Sequence, residues 1–307
     1  MKADASNPVS NPLVTGGIVV SKPRAQPVCD PSGKKCVYFT DGNDVAKAQE
    51  YAGKADVAMV FVATTSSEGA DRPNLDLDNN ANTLVPAVAQ TQPKTVVAMV
   101  HPGPVMTPFR SSVPSILANF MPGQEYGHAL MDVLFGRVNP SARLPITFPA
   151  ENQTVLSPAQ WPGFDNYEVY SEKLEVDYRY YDSHGLTPAF PFGHGLSYTT
   201  FDYVGLDPSR SMVTFQVKNA GTMAGTEVPQ VYLGFPDSAG EPPKQLKGFT
   251  AIPLEAGASA QVNIPLSDRS ISIWDATQHD WKVVTGTYKV YVGASSRDIR
   301  LTGSFVV

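Results

Sequence analysis

The sequence predicts two folds in series: a layered α/β sandwich with a mostly parallel sheet, followed by an all-β sandwich of the fibronectin type III kind. The first half alternates buried apolar runs with amphipathic helical patterns, which is typical of helices that cover a parallel sheet. From about Phe201 the chain shows short alternating strands at roughly ten-residue spacing, a pattern typical of antiparallel sandwiches. The second half contains no cysteine pair, which favours a fibronectin-like over an antibody-like sandwich.

The first half contains three apolar runs that predict buried strands, at 57–63, 95–100 and 115–120. Helical patterns lie beside them, at 44–54, 82–90 and 125–135. Asn43 or Asp44 is the expected cap of the first helix, and Gly136 closes the last. Leu84, Val85 and Val88 are expected to face inward, and Pro86 fits that helix only if it falls in the first turn.

The second half contains short segments with strand character, separated by turn sequences such as Asn219-Ala220-Gly221 and Glu255-Ala256-Gly257. These predicted strands are 213–217, 228–233, 247–252, 260–264, 287–292 and 302–307. We therefore expect domains at 1–150 and 197–307, joined by a linker at 151–196 that is rich in proline and aromatic residues. In this linker Tyr178-Arg179-Tyr180-Tyr181-Asp182 either buries its rings, the favoured interpretation, or lines a carbohydrate cleft.

Composition excludes some partners and compartments. The 307 residues suit two domains, and a net charge of -6 argues against nucleic acid or an anionic membrane surface as partner. No apolar run is long enough to span a bilayer, and no signal peptide is visible. The turn between Cys29 and Cys36 favours a disulfide or simple thiol pair over a metal or redox pair. With the sequon at Asn152, this predicts a secreted or lumenal parent protein; no cofactor or metal site is expected.

Several segments match one known family in the family's order. The most informative are Ser67-Glu68-Gly69-Ala70-Asp71-Arg72 and the segments at 122–125, 136–149, 178–182, 190–199, 218–221 and 243–249. Together they resemble glycoside hydrolase family 3, in its β-glucosidase branch. The resemblance covers nearly the whole chain and implies the family's second domain, a layered α/β sandwich, followed by its fibronectin type III-like domain. Asp78 departs from the pattern, since many members have proline after the leucine at position 77.

The resemblance implies a role for Glu68. Family 3 enzymes are typically retaining β-glycosidases, with an aspartate nucleophile on a (β/α)8 barrel and an acid/base carboxyl on a loop of the second domain. Retention needs two carboxyl groups roughly 5–5.5 Å apart. Glu68 stands at the acid/base position, and the apolar run before it places it beyond a strand end, where open α/β sheets present functional groups. Taken without the resemblance, Glu68 is an ordinary solvated loop carboxylate.

Asp71 and Arg72 have two interpretations. They form an ion pair that braces the loop, which is favoured, or they contact the sugar directly as substrate-binding residues. Glu125, at the start of a predicted helix, and the five histidines are expected to be structural.

The barrel that carries the nucleophile has no counterpart in the chain, which leaves two classes of function. In the first, the chain supplies Glu68 to a β-glucosidase that hydrolyses terminal β-glucosides or oligosaccharides, with a barrel supplied in trans or in a longer enzyme. In the second, it is a non-catalytic module that binds carbohydrate or protein. In either case the chain alone is expected to be inactive. Its barrel-facing surface is expected to be exposed, and apolar enough to drive self-association.

Overall fold

The structure of the protein is a computed structural model that describes residues 28–33, 35–150, 153, 160, 163–165 and 167–307. The predicted sequon asparagine, Asn152, lies outside these residues. The chain divides into two compact units, one ending at Glu125 and the other running from Tyr126 to Val307. The boundary between these compact units differs from the predicted domain bounds of 1–150, 151–196 and 197–307. Compact units and domains are defined differently, so the domain bounds stay a prediction.

The first unit contains a parallel sheet and two helices. Its elements are β1 Val28–Cys29, β2 Cys36–Val37, α1 Val45–Ala52, β3 Ala58–Ala63, α2 Ala81–Thr91, β4 Thr95–Val100 and β5 Ser115–Ala118. The strand order is β3-β4-β5 and both pairings are parallel, with Val60 opposite Val97 and Ala98 opposite Leu117. The predicted α/β class is therefore confirmed for this half of the chain.

The two helices of this unit follow from local sequence, α1 from its N-cap residue and α2 from the spacing of its apolar residues. Asp44 caps α1, because its carboxylate accepts a hydrogen bond from the backbone N–H of Lys47 at 3.0 Å. Helix α2 contacts β3 and β4 and buries the three side chains predicted to face inward, Leu84, Val85 and Val88. This packing places α2 against the strand that leads into the Glu68 loop.

The expectation for Pro86 is wrong. The helix begins at Ala81, so Pro86 is its sixth residue and lies beyond the first turn. Asn79 and Asn80 precede the helix with φ of 50° and 55°, the left-handed conformation that asparagine tolerates better than most residues. Because Pro86 has no backbone N–H, the carbonyl of Asn82, four residues earlier, lacks its helical hydrogen bond. Burial of the neighbouring apolar side chains offsets this loss, so tertiary packing outweighs the local penalty.

A disulfide joins Cys29 to Cys36. The two residues stand directly opposite each other in the antiparallel pair formed by β1 and β2. The disulfide interpretation of the cysteine loop is therefore confirmed.

The second unit begins with two helices and continues as an antiparallel sandwich. Its elements are α3 Tyr126–Leu134, α4 Tyr178–Ser183, β6 Phe201–Pro208, β7 Met212–Asn219, β8 Gly225–Glu227, β9 Gln230–Gly234, β10 Gln245–Phe249, β11 Ile252–Leu254, β12 Ser259–Pro265, β13 Ser272–Asp275, β14 Asp280–Val283, β15 Thr287–Gly293 and β16 Ile299–Val306. Two short 3-10 helices, Asp237–Ala239 and Asp268–Ile271, lie between strands.

Two sheets form the body of the sandwich, with strand orders β10-β9-β15-β16 and β12-β7-β6. All their pairings are antiparallel. Alternate residues of β7 and β15 are buried in one apolar cluster; they are Val213, Phe215, Val217, Tyr288, Val290 and Val292. The all-β second half is thus confirmed, and its core comes from the period-two pattern seen in the sequence.

Several elements of this unit differ from the prediction. The segment 247–252 is two strands, because β10 ends at Phe249 and β11 begins at Ile252. Strand β6, the β13–β14 hairpin and helix α4 were not predicted at all. Polar residues interrupt the apolar alternation in the strands, and α4 is too short for a helical period to show, so local pattern alone does not reveal them.

Candidate functional site

The Glu68 loop leaves the carboxyl end of β3 and forms a tight turn. Ser67 and Ala70 pair across the turn as an isolated antiparallel bridge, with Glu68 and Gly69 at its tip. Gly69 has a φ of +79°, a conformation that a residue with a side chain adopts only under strain. The turn therefore presents Glu68 to solvent at the edge of the parallel sheet, as predicted from the sequence.

Asp78 holds the beginning of this loop. Its carboxylate accepts hydrogen bonds from the Thr64 hydroxyl at 3.1 Å and from the Thr65 backbone N–H at 2.8 Å. Its own N–H donates to the carbonyl of Ala63 at 2.8 Å. Asp78 thus fastens the end of β3, from which the Glu68 turn projects.

Arg72 braces the other side of the loop, though not through Asp71. In the described part of the chain Arg72 makes no ion pair with Asp71, so the expected pairing is wrong. Asp71 is exposed, while the half-buried Arg72 donates from Nη2 to the carbonyl of Pro104 at 3.1 Å. Burial lowers the pKa of Arg72, and the charge of Asp78 acts in the opposite direction. The partner carbonyl follows β4, a distant contact that no local pattern reveals.

His101 follows β4 at the same edge of the sheet and is fully buried. Its Nδ1 lies 2.7 Å from the carbonyl oxygen of Gly103, and its ring packs against Phe120 with centroids 4.6 Å apart. Burial lowers the pKa of His101; the bond to Gly103 opposes this shift and the charge of Arg72 adds to it. The histidine is therefore packed at the end of β4, in line with the structural role expected for it.

The family-like motifs of the second unit act as anchors. Arg143 donates from Nη2 to both carboxylate oxygens of Glu227 at 3.1 Å, and the Tyr203 hydroxyl donates to the same carboxylate at 3.0 Å. Both partners of the Arg143–Glu227 pair are almost completely buried. Because an isolated buried charge is costly, this buried ion pair fixes the segment around Arg143 to the sandwich.

The aromatic motif of the linker is a second anchor. Tyr178 and Tyr181 are buried, and the Tyr178 hydroxyl accepts a hydrogen bond from the backbone N–H of Leu246 at 2.8 Å. Asp182, also buried, forms ion pairs with Lys244 and Arg297. This geometry supports ring burial over a carbohydrate cleft for this motif, and it places α4 against the fibronectin-like strands.

Neither a metal centre nor a membrane span is found within the described ranges. No group of three or more histidine, cysteine, aspartate or glutamate side chains is arranged there to hold an ion. No described helix combines the length and apolar character needed to cross a bilayer.

Comparison with known families decides the assignment. A model of the glycosyl hydrolase family 3 C-terminal domain matches residues 5–198, more than half of the chain. The chain belongs to glycosyl hydrolase family 3. A model of the fibronectin type III-like domain matches residues 227–296, within the antiparallel sandwich.

Its relatives in family 3 include fungal and bacterial proteins. It is 40% identical over 300 residues to the probable β-glucosidase L of Emericella nidulans, covering 86% of this chain and 40% of that protein. It is 40% identical over 279 residues to the thermostable β-glucosidase B of Acetivibrio thermocellus, covering 86% of this chain and 37% of that one. The chain thus spans about two fifths of the length of these relatives.

Solved structures of family 3 proteins show the same fold. A β-glucosidase from Streptomyces venezuelae in complex with D-glucose superposes with a TM-score of 0.83 at 38% identity, over 86% of this chain and 35% of that chain. The β-glucosidase 3B of Thermotoga neapolitana, in complex with α-D-glucose, gives a TM-score of 0.77 at 35% identity, over 86% and 39%. The α/β unit followed by a fibronectin-like sandwich is therefore a known family 3 arrangement.

Proposed function

We propose that the chain is the C-terminal part of a retaining β-glucosidase and that Glu68 is its catalytic acid/base. The observation that carries the proposal is the position of Glu68, at the exposed tip of a braced turn beyond β3 in a family 3 chain. The names of the relatives as β-glucosidases support a terminal β-glucoside or an oligosaccharide as substrate. Asp71 is exposed three residues further on, which leaves it accessible to a sugar.

The reaction requires a second carboxylate. In a retaining glycosidase a nucleophile attacks the anomeric carbon while the acid protonates the departing oxygen; the acid then acts as base towards water. We place this nucleophile on a barrel, either in a longer polypeptide to which this chain belongs or in a separate chain. The turn that carries Glu68 is exposed on the described chain, which leaves it open to such a partner.

Reconstitution with a barrel tests the proposal. We expect no hydrolysis of aryl β-glucosides by the chain alone, and hydrolysis when the barrel of a family 3 β-glucosidase is added or when both are expressed as one polypeptide. Glu68→Ala should lower the rate about 100-fold or more for substrates with a poor leaving group. For an aryl leaving group that departs without protonation, the first step should change far less, and azide should restore turnover.

Glu255→Gln is the matched control, because Glu255 is an exposed turn carboxylate of the sandwich and should leave the rate unchanged. Equal rates for wild type and Glu68→Ala on every substrate would refute the assignment of Glu68. Failure of every barrel, as a separate chain or fused, would refute the β-glucosidase assignment itself.

We further propose that the parent protein is secreted or lumenal. The Cys29–Cys36 disulfide supports this, since disulfides persist in oxidising compartments and are rare in the cytosol. Labelling of both thiols in freshly isolated native protein, before any reductant is added, would contradict it.

A further inference from the structure

Two tryptophans form an exposed pair on a hairpin of the fibronectin-like sandwich. Trp274 of β13 and Trp281 of β14 are direct cross-strand partners and therefore lie on the same face of the hairpin. Their ring centroids are 5.3 Å apart and their planes are inclined by 59°. Trp274 is 48% exposed and Trp281 is 42% exposed. The pair thus forms one contiguous aromatic patch that is about half open to solvent.

The hairpin holds the pair in place through its own turn. Asp275 and Asp280 are the next cross-strand partners, at the end of the hairpin. One carboxylate oxygen of Asp275 accepts hydrogen bonds from the backbone N–H groups of Thr277 at 2.9 Å and Gln278 at 3.1 Å. At the other end, Ile271 is fully buried in the sandwich core directly before β13. The rings are thus presented by an element fastened at both ends.

One guanidinium and two indole N–H groups at this pair have no hydrogen-bond partner among the described residues. Arg269, from the 3-10 helix before β13, lies over the face of Trp281. Within the part of the chain that the structure describes, its guanidinium makes no hydrogen bond or ion pair. The same holds there for the indole N–H groups of Trp274 and Trp281. The site therefore offers an uncovered aromatic surface together with several N–H donors.

We propose that Trp274, Trp281 and Arg269 form a binding site for a β-linked glucose oligosaccharide, separate from the Glu68 loop. A β-glucosyl ring carries its hydroxyl groups equatorially, so both of its faces present C–H groups that pack on an aromatic ring. Its edge presents oxygens that accept from N–H donors. Trp274 supplies the stacking surface, and Trp281 with Arg269 forms a wall beside it. The inclined planes suit a ring with one face and one edge held.

The size and surroundings of the pair favour a sugar over a protein partner. The exposed side chains of Asp268, Asp280 and Lys282 lie close to it in the chain. A stable protein–protein interface buries about 800 Å² on each partner around an apolar centre, more than two half-exposed rings among charged groups provide. A sugar needs only a small ring surface and polar contacts around it.

Affinity electrophoresis of the whole chain tests this site. We expect a gel containing soluble mixed-linkage β-glucan to retard the wild-type chain. A gel containing β-1,4-galactan should leave it unretarded, because the linkage oxygen on C4 of each galactosyl ring is axial and carries the next residue across one face. Trp274→Ala and Trp281→Ala should each lose about tenfold in affinity. Trp274→Phe should keep part of it, and Arg269→Ala should weaken it less.

The matched control is Phe249→Ala, which removes another exposed aromatic ring of the same sandwich and should bind as wild type. Thermal unfolding of every variant checks that the fold is kept. Where an alanine variant is unstable, tryptophan fluorescence measures binding at the same site instead. The substitution Trp161→Phe leaves Trp274 and Trp281 as the two tryptophans of the chain. Their fluorescence is expected to change with the concentration of added cello-oligosaccharide.

Binding should persist in Glu68→Ala, so the outcome does not depend on the proposed catalytic role. The site is refuted if the wild-type chain is not retarded by β-glucan, or if both alanine variants bind as wild type. Equal retardation by galactan would refute the preference of the site for β-linked glucose. Quenching of both tryptophans by an added barrel, without any sugar binding, would assign the pair to a protein contact instead.

Discussion

At the scale of single residues, the Glu68 turn depends on a carboxylate with no proposed chemical role. Asp78 bonds to Thr64 and Thr65 at the end of β3, four and three residues before Glu68. Its carboxylate accepts two hydrogen bonds, one on each oxygen. Positioning by a hydrogen-bonded support is how a loop carboxylate reaches a reproducible geometry.

We expect Asp78→Ala to loosen the start of the loop without unfolding the unit. The lost hydrogen bond to the Thr65 N–H costs about 1 kcal/mol, so amide exchange at Thr65 should accelerate about fivefold. Hydrogen exchange followed by NMR measures this directly. Asp78→Asn, which keeps one acceptor oxygen, should show a smaller effect, and Asp71→Ala should show none at Thr65. Unchanged exchange at Thr65 in Asp78→Ala would mean that the loop is held by other contacts.

At the scale of elements, a charge cluster joins the short helix α4 to the sandwich, beside the buried rings of Tyr178 and Tyr181. Asp182 is 6% exposed and pairs with Lys244, 13% exposed, and with Arg297, 35% exposed. Removing the carboxylate leaves the Lys244 ammonium buried without its counter-charge. The contact with Arg297 contributes less, because solvent screens that partner.

We expect Asp182→Ala to destabilise the sandwich unit by about 3–5 kcal/mol, the usual cost of breaking a buried ion pair. Urea unfolding followed by tyrosine fluorescence or circular dichroism measures this. The control is Arg210→Ala, which breaks an exposed pair with Asp268 and should cost less than about 1 kcal/mol. A second substitution, Lys244→Met, should restore part of the loss in Asp182→Ala. A small loss in Asp182→Ala alone would mean that Tyr178 and Tyr181 hold α4 without the charges.

The same elements show how far the sequence leads. Strand β4 has the predicted bounds, 95–100, because its six residues are rich in β-branched side chains and too few for a buried helix. Helix α4 was missed because its six residues are too few for a helical period to show. At the site, the turn carrying Glu68 could be predicted from its strand and glycine. The bond from Arg72 to Pro104 could not, since the partners are 32 residues apart and the acceptor is backbone.

At the scale of the whole molecule, the chain exposes apolar side chains that an isolated protein usually covers. Met131 near the end of α3 is 46% exposed, Phe135 directly after the helix is 69% exposed, and Val138 is 52% exposed. Phe135 remains in helical register, because its N–H donates to the carbonyl of Met131 at 3.0 Å, so the two side chains share one side. Contiguous apolar surface of this kind drives association in water.

We therefore expect the chain to self-associate, with an average mass in light scattering that rises with concentration. Met131→Lys with Phe135→Lys should hold the mass near that of the 33.0 kDa monomer, because desolvating two ammonium groups opposes the contact. Val306→Lys removes an equally open apolar side chain at the end of β16 and should leave association unchanged. If a barrel covers this surface, adding one should dissociate the wild-type assemblies and leave the double lysine variant unable to bind the barrel. A strictly monomeric wild-type chain at high concentration would contradict the prediction. If Val306→Lys abolished self-association and the double lysine variant did not, the contact would lie at the edge of the sandwich instead.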